Sequence, residues 1–283
     1  MKNVLQTRQL WIGLLIAGMV SGLLWVDDGG GAEMEDPTIP EKPWVFHVPL
    51  MKDRPEGSVG DAIQWGYDLI MNTQDHLKEF VGNGLNCRNC HLDAGRLPHA
   101  GTFVGVYPAY PEYRSRSGSV ITLDMRINEC FRRSLNGKAL PADSPDMAAL
   151  VSYMAWLSTG IPTGTNISQR GFAPLSSSRP ANPKQGGIVF LGKCAGCHGV
   201  NGEGTTTAPS VWGPRSYNIG AGMARNSKLA GFLKHNMPLG QGGSLTDNEA
   251  IDLAAYINSQ PRPDFPDKHL DWPKGDKPAD APY

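Results

Sequence analysis

Cys87-Arg88-Asn89-Cys90-His91 and Cys194-Ala195-Gly196-Cys197-His198 each place two thiols and an imidazole within five residues. At that spacing both thiols can add to the vinyl groups of one haem while the histidine takes the iron, which is the attachment pattern of c-type haem. Each run is trailed at the same distance by a sulfur residue. Cys130 lies 39 residues beyond His91, and Met237 lies 39 residues beyond His198. The shared register predicts two related modules carrying two covalently bound haem c groups. Cys87, Cys90, Cys194 and Cys197 would hold the porphyrins, and His91 and His198 would be the proximal ligands. A structural zinc site built from the two Cys pairs would leave both histidines and the register without a purpose.

The sixth ligands then differ. Met237 precedes Pro238 in a loop ahead of an apolar helix, and a thioether there favours ferrous iron and raises the potential. For the first haem, His99, Met125, Cys130, Met147 and Met154 are candidates, and the register favours Cys130. A thiolate favours ferric iron, so electrons entering at the first haem would run downhill to the second. The chain has five cysteines, and four go to haem attachment. Cys130 is left as a small buried hydrophobe or as a ligand and nucleophile, and the register argues for the latter. A plain electron carrier has no need of a displaceable, redox-active sulfur, so Cys130 points to substrate chemistry. Arg114, Arg116, Arg126, Arg132 and Arg133 surround it in sequence with only Asp124 and Glu129 as counter-charges. Guanidinium forks suit oxyanions, although a solvated basic face or partners for haem carboxylates would use the same residues.

The elements that must position these groups are short helices. Apolar periodicity predicts a helix over 60–80 ahead of the first pentapeptide and another over 182–191 ahead of the second. Each half closes on an apolar helix, at 144–158 with Ser-Pro at its start and at 246–259 with Thr246 and Glu249 in a capping-box pattern. Tyr153 and Trp156 in the first match Leu253 and Tyr256 in the second, as packing residues. With 34 Gly, 23 Pro and 40% hydrophobic residues in 283, loops should be long and haem should supply much of the core. The fold class expected is mainly α. It comprises two cytochrome c-like haem domains, at 33–160 and 184–283, joined by a Gly/Ser/Pro-rich linker at 161–183. Residues 261–283 hold six prolines and should wrap the surface without regular structure.

Twenty-six basic and 27 acidic residues give a net charge of −1, which offers no global basis for binding nucleic acid. Lys2 and Arg8 precede an uncharged run at 10–26, followed by Gly30, Gly31 and Ala32. This predicts export to the periplasm, with residues 1–32 as a cleaved signal peptide or an uncleaved anchor. Membrane association would follow only from the anchor.

Residues 127–138, together with both pentapeptides, the 237–240 loop and the Pro-rich stretch 265–273, resemble the dihaem thiosulfate dehydrogenases, the tetrathionate-forming cytochromes c. The resemblance covers nearly the whole chain after the export segment, and its specific part is the stretch around Cys130. It implies oxidation of two thiosulfates to tetrathionate, or the reverse, with an external cytochrome or other electron acceptor. It implies Cys130 as axial ligand of the catalytic haem, and Arg116, Arg126 and Ser134 as substrate-contacting positions. Some members carry Lys directly before the second-haem Met; Asn236 stands here, and Asn is a poor iron ligand. Coupling two dianions brings like charges together, which the arginines would offset. In this scheme the Cys130 sulfur leaves the iron, bonds one thiosulfate with loss of two electrons, and is released as the second thiosulfate attacks. The alternatives are a non-catalytic dihaem electron-transfer cytochrome and a SoxA-like thiosulfate-conjugating subunit.

Overall fold

Ile63, Gly66, Leu69 and Ile70 are buried along the first long helix, at the three- and four-residue steps that keep side chains on one side. In the computed structural model, which describes residues 47–177 and 179–283, this helix is α1 (Ser58–Met71). Five more helices of eleven residues or longer follow: α2 (Leu123–Arg133), α3 (Pro145–Leu157), α4 (Pro183–Lys193), α5 (Asn226–Asn236) and α6 (Asp247–Ser259). A small antiparallel hairpin, β1 (Glu112–Arg114) and β2 (Ser119–Ile121), pairs Glu112 with Ile121 and Arg114 with Ser119. The architecture is mainly α with long loops, and the described residues gather into one compact unit. The expected export segment at 1–32 lies outside the described residues. Among the described residues no helix is long and apolar enough to cross a membrane.

The two halves repeat one packing device: α1 packs against α3, and α4 packs against α6. At each crossing a glycine lets the backbones meet. A Cβ on Gly66 would stand 2.2 Å from the Ala149 carbonyl oxygen, and one on Gly186 would stand 2.0 Å from that of Asp252. Aromatic rings close around the crossings, with Tyr153 edge-on to Tyr67 and Tyr256 tilted against Phe190. The closing helices start where their caps predict. Ser144 Oγ accepts from the Met147 N–H at 3.1 Å, and Thr246 and Glu249 exchange bonds in both directions.

The helix expected over 60–80 breaks at Asn72, whose φ of −131° and ψ of 47° leave the helical region. Thr73 is fully buried by that turn, and its hydroxyl accepts from the Cys87 N–H at 3.0 Å. Continuing the helix would forfeit this bond, so only short turns at Thr73–His76 and Lys78–Phe80 follow.

Residues 161–177 carry no helix or strand, yet Ile161 and Ile167 are buried. The N–H groups of His99 and Gly101 donate to the carbonyls of Gln169 and Gly171, each at 3.2 Å. Residues 261–283 depart from the expectation of no regular structure, with a 3-10 turn at Pro266–Leu270. Phe265 and Trp272 are buried on either side of that turn, and this burial offsets the entropy of ordering the stretch.

Candidate functional site

The first pentapeptide is folded by its neighbours. Cys87–Asn89 forms a 3-10 turn whose ends are tied by reciprocal bonds between Asn86 and Asn89, and the Asn86 side chain also accepts from the Gln74 N–H. The His91 Nδ1 lies 2.5 Å from the Gly101 carbonyl oxygen, and the His198 Nδ1 lies 2.7 Å from that of Pro209. A carbonyl only accepts, so each contact makes Nδ1 the protonated nitrogen and leaves Nε2 free for a metal. Phe103 stacks on the His91 ring, with centroids 4.4 Å apart. Burial pushes the His91 imidazole down to about 4, so it is neutral and able to ligate. Burial, with a smaller push from the nearby Cys130 sulfur, raises Cys87 to about 11 and Cys90 to about 12. These residues fit a covalently attached haem in each half. The buried Nε atoms of Arg96 and Arg262 have no hydrogen-bond partner among the described residues, Asp93 standing 3.6 Å from that of Arg96, which leaves guanidinium N–H groups for the acidic side chains a haem carries.

Cys130 lies on α2, which forms because Leu123, Ile127 and Phe131 recur every four residues and are buried. Arg126, Cys130 and Ser134 recur at the same interval, so they share another stripe of that helix and its C-cap. Arg126 Nη1 donates to Cys130 Sγ at 3.2 Å and stands 3.4 Å from a Glu129 carboxylate oxygen. The Cys130 sulfur, more than any other neighbour, holds the Arg126 guanidinium firmly protonated against the opposing effect of burial. The result is a half-buried sulfur with a fixed cation, close to the first Cys pair.

Of the five arginines grouped by the sequence, Arg126 alone contacts the Cys130 sulfur among the described residues, and the other four are held by acids. Arg114 and Arg170 share Glu112, at 3.4 and 2.8 Å, and Arg132 pairs with Asp267. Arg133 makes a bidentate pair with Asp271, both bonds 2.8 Å, and Arg116 stands 3.7 Å from the same carboxylate. Of the other first-haem candidates, Met125 is exposed on α2, Met147 and Met154 are buried on α3, and His99 stacks against His235 at 5.0 Å.

Met237 follows α5 directly, and its N–H donates to the Leu233 carbonyl at 3.0 Å. Asn236 beside it is buried and donates from one Nδ2 to the carbonyls of His99, at 3.1 Å, and Phe232, at 3.0 Å. The residue before Met237 is thus occupied as a structural donor to the loop that follows the first pentapeptide.

Residues 77–163 match the model of the SoxA/TsdA cytochrome c domain family, and residues 184–261 match the cytochrome c family. A thiosulfate dehydrogenase of Allochromatium vinosum is 42% identical over 241 residues, covering 82% of this chain and 87% of that protein. One from Psychrobacter arcticus is 44% identical, over 80% of this chain and 71% of that protein. The chain belongs to the thiosulfate dehydrogenase family. A solved family structure, the thiosulfate dehydrogenase TsdBA of Marichromatium purpuratum in its as-isolated form, superposes with a TM-score of 0.73 at 38% identity. That match covers 77% of this chain and half of the longer TsdBA chain. As in the family, the chain carries two cytochrome c domains with covalently bound haem iron in each.

Seen as a family member, the chain gathers Cys87, Cys90, His91, Cys130 and Arg126 into one region, with Ser134 one turn along α2. It sets Cys194, Cys197, His198 and Met237 in the other half. Sequence reasoning missed Asp271 and Gly220, which engage Arg116 and Arg133. Arg133 at the end of α2 and Arg116 in the β1–β2 turn are both cations in need of a carboxylate, and the acids of 261–283 were the unassigned supply.

Proposed function

We propose that this chain is a periplasmic dihaem enzyme that couples two thiosulfates into tetrathionate, and runs the reverse when electrons are supplied. The observation that carries the reading is the Arg126 guanidinium 3.2 Å from the Cys130 sulfur, beside the first haem-attachment pair. His91 and Cys130 would ligate the first iron, and His198 and Met237 the second. When bound, the two haems supply two one-electron acceptors, the thiolate-ligated one at lower potential and the thioether-ligated one at higher. Residues 10–26, uncharged behind Lys2 and Arg8, support export, and retention of that segment would attach the protein to the membrane.

The chain's task is to bring two dianions together. At 4 Å and an effective dielectric of about 20, each pair of unit charges repels by about 4 kcal/mol, so uncompensated encounter is prohibitive. Arg126 and Arg116 offset that repulsion at fixed positions, and Ser134 adds a hydroxyl donor on the Cys130 stripe. The Cys130 sulfur bonds the terminal sulfur of one thiosulfate as two electrons leave. The second thiosulfate then attacks that same terminal sulfur, forming the central bond of tetrathionate and returning Cys130 as thiolate.

Purified protein mixed with thiosulfate and ferricyanide should consume two ferricyanides per tetrathionate formed. A plain electron carrier would show no thiosulfate-dependent reduction. Intact-mass measurement after exposure to thiosulfate should find an adduct that Cys130→Ala lacks. Full activity of the Ala variant would sink the covalent step.

A further inference from the structure

Arg116 and Arg133 belong to the first half of the chain, but what holds them comes from the second half, beyond α4. Arg133 makes its bidentate pair with Asp271, whose side chain is 4% exposed, and Arg116 stands 3.7 Å from the same carboxylate. Both guanidinium groups also donate to the Gly220 carbonyl. Trp272 lies under Arg116, 4.8 Å from the ring centroid, and Phe265 lies under Arg133 at 4.2 Å. The Trp272 N–H donates to the Arg116 carbonyl at 2.7 Å, and the Tyr283 hydroxyl donates to Asp271. Two like charges are thereby kept together in a largely buried place, where burial first and then the neighbouring Arg133 disfavour the charge on Arg116, while Asp271 supports that on Arg133. Arg116 uses only Nη1 in these bonds, so Nη2 and Nε are uncommitted on a side chain that is 17% exposed.

We propose that Asp271 is a positioning residue for anion binding: it holds Arg116 and Arg133 as a fixed pair, so that segment 261–283 completes the substrate site around Cys130. The inference rests on the thiosulfate site proposed above. Arg126, Cys130 and Arg133 fall at i, i+4 and i+7 on α2, so Arg133 lies toward the end of the helix face that carries the sulfur, and the shared Asp271 carboxylate and Gly220 carbonyl bring Arg116 beside it. Asp271 contributes by holding the two guanidinium groups through charge-assisted bonds, an effect that outweighs the direct repulsion between its carboxylate and an anionic substrate.

The test uses the complete dihaem protein with Asp271→Asn and, separately, Tyr283→Phe. Thiosulfate-dependent haem reduction is followed by stopped-flow absorbance, and KM and kcat are measured with ferricyanide. Loss of the charge-assisted clamp should raise KM and the half-saturating thiosulfate concentration about tenfold in Asp271→Asn, with kcat changed less. Tyr283→Phe, which keeps the carboxylate, should raise KM about threefold, and Asp271→Glu should recover part of the loss. Unchanged or tighter thiosulfate binding in Asp271→Asn would overturn the proposal. Should that variant fail to take up haem, an unchanged KM in Tyr283→Phe overturns it instead. A wild-type protein inert toward thiosulfate would remove the underlying site reading, an outcome distinct from either.

Discussion

Replacing Gly186 with alanine tests the helix crossing on which the second haem module is built. The added Cβ would stand 2.0 Å from the Asp252 carbonyl oxygen, 2.5 Å from its carbon and 2.8 Å from Tyr256 Cβ. Two of those atoms are backbone of α6 and cannot rotate aside, so α4 and α6 must move apart. Overpacking of this kind costs about 1–3 kcal/mol. Contact with backbone at 2.0 Å puts the cost in the upper half of that range, and alanine returns about 1 kcal/mol through its better helix propensity, for a net loss of about 1–2 kcal/mol. In a chain of this size the melting temperature should fall by about 2–8 °C. Gly192 lies on the same helix with nothing within 4 Å of its notional Cβ. There the propensity gain is unopposed, and Gly192→Ala should stabilise by up to about 1 kcal/mol. Thermal unfolding of both holoproteins by circular dichroism, with haem absorbance to verify loading, reads the difference. A Gly186→Ala protein that melts at or above wild type, or moves together with Gly192→Ala, would refute the reasoning.

The buried Asp252 carboxylate is held below its usual range, first by hydrogen bonds from Arg179 at 2.7 and 3.0 Å and also by the Asn182 N–H. A depressed folded value means stability that is present above the ordinary aspartate range and lost as pH falls through the depressed one. Asp252→Asn should therefore cost about 1–3 kcal/mol at neutral pH, and the gap from wild type should close in acid; urea melts across pH that show a constant gap would contradict this. Gly101 has a φ of +62°, and its Cβ would meet His91 Nδ1 at 2.9 Å. Gly101→Ala should thus alter the paramagnetic resonance signal of the first ferric haem and spare the second, and two unchanged signals would contradict the anchoring of His91 by the Gly101 carbonyl.

Much of this organisation was legible because it rests on local signals. Both closing helices announce themselves through caps, and Thr246 and Glu249 form the box their spacing predicts. The pentapeptides required a carbonyl for each Nδ1, but which carbonyl, Gly101 or Pro209, depends on loops whose course no periodicity reveals. The helix bearing Cys130 had a readable pattern in Leu123, Ile127 and Phe131, masked by the charged residues between them. The division of the arginines was not legible. Their partners Asp267 and Asp271 lie over 130 residues away, where only tertiary packing of Phe265 and Trp272 brings them back. Proline content alone predicts an irregular stretch; it does not say that aromatic residues within it find an interior.

The bend at 99–101 is shared property. It donates to Gln169 and Gly171, accepts from Asn236, and offers its Gly101 carbonyl to His91. The first pentapeptide and two distant stretches of polypeptide therefore lean on a single turn, which makes the two modules poor candidates for exchange as cassettes. A chimera that imports residues 184–261 from another cytochrome would bring a foreign neighbour to that turn unless position 236 and the 99–101 bend travel with it as a matched set.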